Sequence, residues 1–232
     1  AVLDAGVLMP VIDAMCYDSP KIVAYALAVI CSIVNGNDLQ KEAALNAGII
    51  DPLMQSLQNR SLHIRKGAVE AFANTALGTS AQRQLIFDCG AVVSILGIVS
   101  PRTEPPQPGQ GLLEQEACRA ISNLILHGND AQREEWVALR CFEGLLDKVD
   151  KFSKHLEAGN TDQSGIIKAI VDVLEAIRKL HDFAMPADDG QSLLVAMVEE
   201  AGSLDILRRM REHEDNQVRE KAVEILDTYY GN

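Results

Sequence analysis

The sequence predicts an all-α solenoid of stacked helical repeats, and two observations support this. A two-faced helical run that ends at a glycine occurs three times, at 22–36, 65–78 and 114–128. A second glycine follows twelve residues after the first in two of these repeats, so that Gly48 follows Gly36 and Gly90 follows Gly78. Gly190 and Gly202 repeat the interval near the end of the chain. Self-similarity at a fixed period is typical of repeat proteins.

The composition agrees with helix-on-helix packing. Hydrophobic residues make up 47% of the 232 residues and charged residues 23%, whereas aromatic residues make up only 4%. Most of the apolar side chains are therefore Ala, Leu, Ile and Val, which allow helix axes to approach closely. No stretch reaches about 18 uncharged apolar residues, so we expect no transmembrane helix.

The charge balance restricts the class of partner. Twenty-one basic and 33 acidic residues give a net charge of −12, which disfavours nucleic acid as a general partner. The same charge favours cationic partners such as basic peptides, although it is equally consistent with solubility alone.

The five cysteines are far apart in the sequence and form no Cys-x-x-Cys pair. This usage is typical of a reducing compartment, the cytosol or the nucleus, and predicts no metal site. The chain also starts in the middle of a helical pattern, without an initiator Met or a basic leader, so we expect it to be part of a longer protein.

The chain divides into one domain of repeats in the following order. Residues 1–18 are expected to hold the last helix of a preceding repeat, and four repeats follow at 19–58, 61–100, 112–150 and 165–211, before a terminal capping helix at 214–230. The third repeat has Arg140 where the others have the turn glycine, so we expect its second helix to start less sharply.

Two segments interrupt the period. Residues 101–111 contain four prolines and two glycines, which prevent a helix and predict an extended surface loop. A proline-rich ligand for a small adaptor domain is the alternative for this segment. Residues 151–164 are polar and predict a second loop insertion.

No motif of enzyme chemistry is present. The sequence has no Gly-x-Gly-x-x-Gly, P-loop, Gly-x-Ser-x-Gly or His-Glu-x-x-His pattern, and its five histidines are scattered. We therefore expect a protein without catalytic residues, cofactor or metal. Trp136 lies in a second-run helix and is expected to be a packing residue.

Helical units of about 42 residues fall in the range of armadillo and HEAT repeats. The Ala-Gly or Cys-Gly step before the final helix of a unit resembles the armadillo form. The C-terminal part, with VEEAGSLD at 198–205 and EILDTYY at 224–230, resembles the last two repeats of importin-alpha. The segment 26–36 is similar to a middle repeat of that family. The resemblance covers nearly the whole chain and implies an armadillo right-handed superhelix.

The resemblance also implies a peptide-binding groove. In importin-alpha, Trp-x-x-x-Asn pairs on the third helix of each repeat hold an extended basic nuclear-localisation peptide. The candidate groove residues are Ser32, Asn74 and Asn123 at the asparagine positions, Glu70 and Arg119 at the tryptophan positions, and Glu116 at an acidic position that meets cargo. Ala28 stands where a groove arginine is usual. Because both indoles are absent, we expect weak binding of basic peptides at this part of the groove.

The function implied is that of an adaptor for nuclear import, monomeric and present in cytoplasm and nucleus. Its partners would be basic cargo peptides, importin-beta and the family's export receptor, without nucleic acid or membrane. Two alternatives remain open. One is an armadillo scaffold that has lost binding of the localisation signal, and the other is a regulatory or chaperone-like solenoid that uses the proline-rich loop or the convex face.

Overall fold

The computed structural model describes residues 6–100, 107–157, 163–184 and 192–231, and these ranges contain helices and no strand. The helices are α1 Leu8–Met15, α2 Pro20–Val34, α3 Asp38–Asn46, α4 Ile50–Leu57, α5 Leu62–Thr75, α6 Ser80–Asp88, α7 Ala91–Val99, α8 Gln110–His127, α9 Asp130–Ala138, α10 Cys141–Glu157, α11 Gln163–Ala184, α12 Leu193–Glu200, α13 Leu204–Met210 and α14 Asn216–Tyr229. The all-α prediction is confirmed.

The chain forms two compact units. The first contains the described residues up to Ile98 together with α8, and the second contains Val99, Ser100 and the described residues from Gly128 onwards. The predicted grouping of all repeats into one domain, with its repeat boundaries, stays a prediction.

Three long helices form a row in the first unit. Helix α2 packs against α5, and α5 packs against α8. Ile30, Phe72 and Ile121 of these helices are fully buried, because apolar residues recur at helical spacing along one face of each helix. The shorter helices α1 and α4 pack behind α2 and α5. The exposed surface of α2 is mixed, with Tyr25 and Val29 beside Ser32.

A capping box opens α3, α6 and α9, the helices that follow α2, α5 and α8. In Asn37–Gln40 the asparagine Oδ1 accepts from Gln40 N at 3.0 Å, and Gln40 Oε1 accepts from Asn37 N at 2.9 Å. Thr79–Gln82 and Asn129–Gln132 form the same reciprocal pair. Each box satisfies two backbone donors that a helix start leaves without partners.

A left-handed residue separates the two short helices that follow. Gly48 has φ +89°, Gly90 +77° and Gly202 +67°, and Arg140 takes the same place with φ +51°. The expectation of a less sharp start at Arg140 is therefore wrong. The backbone makes the same turn at Arg140 as at the glycines, although a residue with a Cβ adopts positive φ less readily than glycine.

The structure corrects both predicted loops in part. Helix α10 continues through 151–157, and 163–164 already belong to α11, while 158–162 lie outside the described residues. Phe152 is only 3% exposed, so the polar residues of this stretch occupy one face of an amphipathic helix. In the proline-rich stretch, 110–111 begin α8, and 101–106 lie outside the described residues.

Within the described ranges, no single helix has both the length and the apolar composition of a membrane span. Helices α6 and α7 meet that test only when taken together, and a bend of 76° separates them.

Candidate functional site

The six candidate residues lie on the row α2, α5 and α8 of the first unit. Ser32 is on α2, Glu70 and Asn74 are on α5, and Glu116, Arg119 and Asn123 are on α8. The structure thus places together side chains that are up to 91 residues apart in the sequence.

A cavity of about 230 Å³ lies between α2 and α5. Ser32, Glu70 and Asn74 line it, and its apolar lining includes Leu27 and Gly67. A Cβ at Gly67 would lie 3.4 Å from Leu27 Cδ1, so the glycine allows the two helices to pack closely at this point. The result is a shallow cavity with an apolar floor and a polar rim.

A cluster of three polar side chains lies between α5 and α8. Arg119 Nε donates to Glu116 Oε1 at 2.8 Å, and Arg119 Nη2 pairs with the same oxygen. Arg119 Nη1 donates to Asn74 Oδ1 at 3.2 Å. The guanidinium is therefore held by an acid on its own helix and by an amide on the neighbouring helix.

Asn123 is bonded to the backbone of the neighbouring helix. Its Nδ2 donates to the carbonyl oxygen of Ala73 at 3.0 Å. Ser32 makes a different bond, because its hydroxyl donates to the Ala28 carbonyl at 3.0 Å within α2. The three residues predicted at asparagine positions thus have different hydrogen-bond partners.

Two acids and two bases of the row act on the Cys31 thiol at the cavity floor. Burial, followed by the charges of Glu70 and Glu116, raises the pKa of the Cys31 thiol to about 12, against the opposing effect of Lys66 and Arg119. The Cys31 thiol donates to the Gly67 carbonyl at 3.3 Å. It therefore stays protonated at neutral pH.

Three further polar residues of the cavity lining were missed by the sequence analysis: Asn35, His63 and Lys66. Lys66 pairs with Glu70 at 3.5 Å across one helical turn. Helical spacing could have identified His63 and Lys66, since positions 63, 66, 70 and 74 fall on one face of α5.

The second unit has a related arrangement on α11 and α14. Arg178 Nη2 donates to Glu175 Oε1 at 2.6 Å, and Arg178 Nε lies 3.5 Å from Glu224 Oε1 on α14. Lys221 Nζ lies 2.8 Å from Glu175 Oε2. Hydrogen bonding to Arg178 is the largest cause that lowers the pKa of Glu175 to about 2.

Trp136 is fully buried, as expected of a packing residue.

Comparison with known proteins agrees with this architecture. A family model described as an atypical Arm repeat matches residues 192–232. Importin subunit alpha-1a of Oryza sativa subsp. japonica is 27% identical over 99% of this chain and 41% of its own length. Importin subunit alpha-4 of Arabidopsis thaliana is 26% identical over 99% of this chain and 40% of its own length. The chain therefore spans about two fifths of the length of these relatives.

Among solved structures, a designed armadillo repeat protein, YIII(Dq.V1)4CPAF in complex with peptide (KR)4, superimposes with a TM-score of 0.75. It is 24% identical and covers 98% of this chain and 84% of its own. The chain thus has the all-α solenoid fold of armadillo-repeat proteins. Its sequence is similar to those of importin-alpha subunits.

Proposed function

We propose that the first unit binds an extended peptide of a protein partner along α2, α5 and α8. The supporting observation is the row of long helices, in which Asn74 lines the cavity beside Glu70 and Asn123 lies on the next helix, α8. Such a surface binds by preformed hydrogen-bond groups and requires no chemistry, so the molecule would act as an adaptor and not as an enzyme.

The two asparagines retain groups for a peptide backbone. The bond from Arg119 uses the Oδ1 of Asn74, and the bond to Ala73 uses one N–H of Asn123. An asparagine side chain has two N–H donors and an oxygen that accepts two bonds. By this count Asn74 keeps its amide donors for a peptide carbonyl, and Asn123 keeps an acceptor for a peptide N–H.

The peptide that fits the cavity between α2 and α5 best is a basic one. Glu70 is partly exposed at the rim, and its pairing with Lys66 is long, at 3.5 Å. Burial is the largest cause of the raised pKa of Cys31, and the charges of Glu70 and Glu116 add to it against those of Lys66 and Arg119. The similar designed protein is described in complex with the peptide (KR)4. The relatives are named importin subunits, which favours nuclear-localisation peptides as the natural ligands and nuclear protein import as the process.

The remaining functional expectations follow from this proposal. Importin-beta and an export receptor would be the other partners, and the protein would be present in both cytoplasm and nucleus. The chain would be monomeric in solution.

A scaffold that has lost binding of the localisation signal is the second candidate. The engagement of Asn74 and Asn123 by Arg119 and Ala73 favours it, because a bound peptide would compete with contacts that the chain already makes.

Titration with a fluorescent lysine-rich peptide tests the proposal. We expect a Kd in the range of about 1–100 μM, and Glu70→Gln should weaken binding about two- to fivefold, the effect of one partly exposed ion pair. Glu42→Gln removes the same charge from an exposed position on α3 and should leave the affinity unchanged. Absence of binding to the unaltered protein would favour the scaffold.

A further inference from the structure

Arg119 is bound by side chains of the kind that would bind an arginine of a peptide ligand, although it belongs to the chain itself. All three guanidinium nitrogens have partners on the groove surface: Nε and Nη2 bond Glu116, and Nη1 bonds Asn74. An acid that balances the charge and an amide that fixes the plane are the groups that recognise a guanidinium.

The partners of Arg119 are well shielded from water. Glu116 has a side-chain exposure of 13%, and Asn74 is 6% exposed. The side chain of Arg119 is 30% exposed and covers both. A cationic side chain from another molecule would reach Glu116 only by displacing Arg119, and it would meet the like charge of the guanidinium on the way.

In the cavity between α2 and α5, the acidic side chain is more accessible to water. Glu70 has a side-chain exposure of 38%, and its lysine partner is 3.5 Å away. The row therefore presents one acid that is accessible and one acid that the chain has already neutralised. The arrangement recurs in the second unit, where Arg178 pairs with Glu175 three residues earlier and reaches Glu224 on the next long helix.

We propose that Arg119 is a specificity-determining residue of the groove, which fills from within the place that Glu116 and Asn74 would offer to a cationic peptide side chain. The proposal rests on the peptide-binding function proposed above and names its ligand class more closely. The peptide carries a Lys or Arg side chain in the cavity beside Glu70 and an uncharged side chain over Arg119. Packed helix axes are about 8–10 Å apart, and an extended chain rises about 3.3 Å per residue. The two peptide positions are accordingly about two to three residues apart.

A lysine-rich peptide and a set of single Lys→Met replacements test this assignment, because Met keeps the length of the stem and removes the charge. In the unaltered protein, Lys→Met at the peptide position beside Glu70 should lower the affinity. The same replacement at the position over Arg119, about two to three residues away, should leave the affinity equal or raise it. In Arg119→Ala the second position should come to prefer Lys, and the all-lysine peptide should bind about tenfold more tightly, the effect of a gained charge-assisted bond.

Two further variants serve as controls. Arg60→Ala removes the same charge from an exposed position and should change the affinity less than twofold. Arg119→Met retains the aliphatic stem, so that a gain in this variant as well excludes a packing defect as its cause. Identical position preferences in the unaltered protein and in both Arg119 variants would overturn the proposal.

A second readout does not depend on peptide binding. Guanidinium chloride below denaturing concentrations should saturably shift the Asn74 side-chain amide signals in an NMR titration of Arg119→Ala, but not in the unaltered protein. If no peptide binds any variant, the proposed function fails, and this titration still decides the assignment. Equal shifts in both proteins, or none in Arg119→Ala, would show that Glu116 and Asn74 form no guanidinium site.

Discussion

Arg140 is the residue whose backbone conformation is most at odds with its side chain. It has φ +51°, where the corresponding turns use glycine. A left-handed residue with a Cβ costs about 1–2 kcal/mol. Its guanidinium pairs with Glu143 and lies 5.6 Å from the Phe142 ring centroid. These contacts of an exposed side chain offset part of that cost.

Replacing Arg140 by Asn and by Val separates the backbone cost from the side-chain contacts. Both variants lose the guanidinium, but Asn tolerates positive φ and a β-branched residue does not. We expect Arg140→Asn to be more stable than Arg140→Val by about 1–2 kcal/mol in urea unfolding. Equal stabilities would mean that the turn relaxes when the arginine is removed.

At the scale of the element, a buried cation bonds the carbonyls at the ends of α2 and α5. Lys41 Nζ donates to the Gly36 carbonyl at 2.5 Å, after the end of α2. Arg83 Nη1 donates to the carbonyls of Gly78 at 2.5 Å and Ala76 at 3.3 Å, after the end of α5. Both cations directly follow the glutamine of a capping box. One segment of five residues, 37–41 or 79–83, therefore satisfies carbonyls of one helix and amides of the next.

Removing one of these cations should destabilise the fold clearly. Arg83→Met leaves helix carbonyls without a charged donor, and we expect a loss of about 1.5–3 kcal/mol in the free energy of unfolding. Gln84→Met, at the exposed neighbouring position, should stay within about 0.5 kcal/mol. A loss of that smaller size for Arg83→Met would show that water replaces the guanidinium.

At the scale of the whole molecule, acidification should weaken the second unit through His181. This residue is fully buried, stacks on Tyr229 with ring centroids 4.6 Å apart, and its Nε2 lies 3.2 Å from the Tyr230 hydroxyl. Burial lowers its pKa to about 4, against the opposing effect of Asp182. The folded state therefore keeps the neutral ring at a pH at which the unfolded chain binds a proton.

Below the unfolded pKa of about 6.5, only the unfolded state gains the proton, so stability falls as the pH decreases towards 4. We expect the free energy of unfolding to decrease over this window and the decrease to be smaller in His181→Phe. His155→Gln, at an exposed position, should keep the slope of the unaltered protein. An equal slope in His181→Phe would assign the pH dependence to the carboxylates.

The sequence predicted the helices of the row because each has apolar residues at regular spacing on one face and a glycine at its end. It misassigned 151–157 because the polar residues of this stretch concealed its helical character and the buried Phe152. The site residues were placed by their repeat positions, and the structure puts them on one row. The hydrogen bond from Arg119 to Asn74 could not be predicted from the sequence. It joins residues 45 positions apart, and it forms only in a rotamer that extends the Arg119 side chain from α8 to α5.

The protonated thiol beneath the cavity has a consequence for chemical modification. Cys31 is buried and its pKa is about 12, so the thiolate that oxidants and alkylating reagents attack is scarce there. Cys16 is exposed and meets such reagents first. A fluorophore attached through maleimide would therefore report from the end of α1 and leave the surface of α2, α5 and α8 unlabelled.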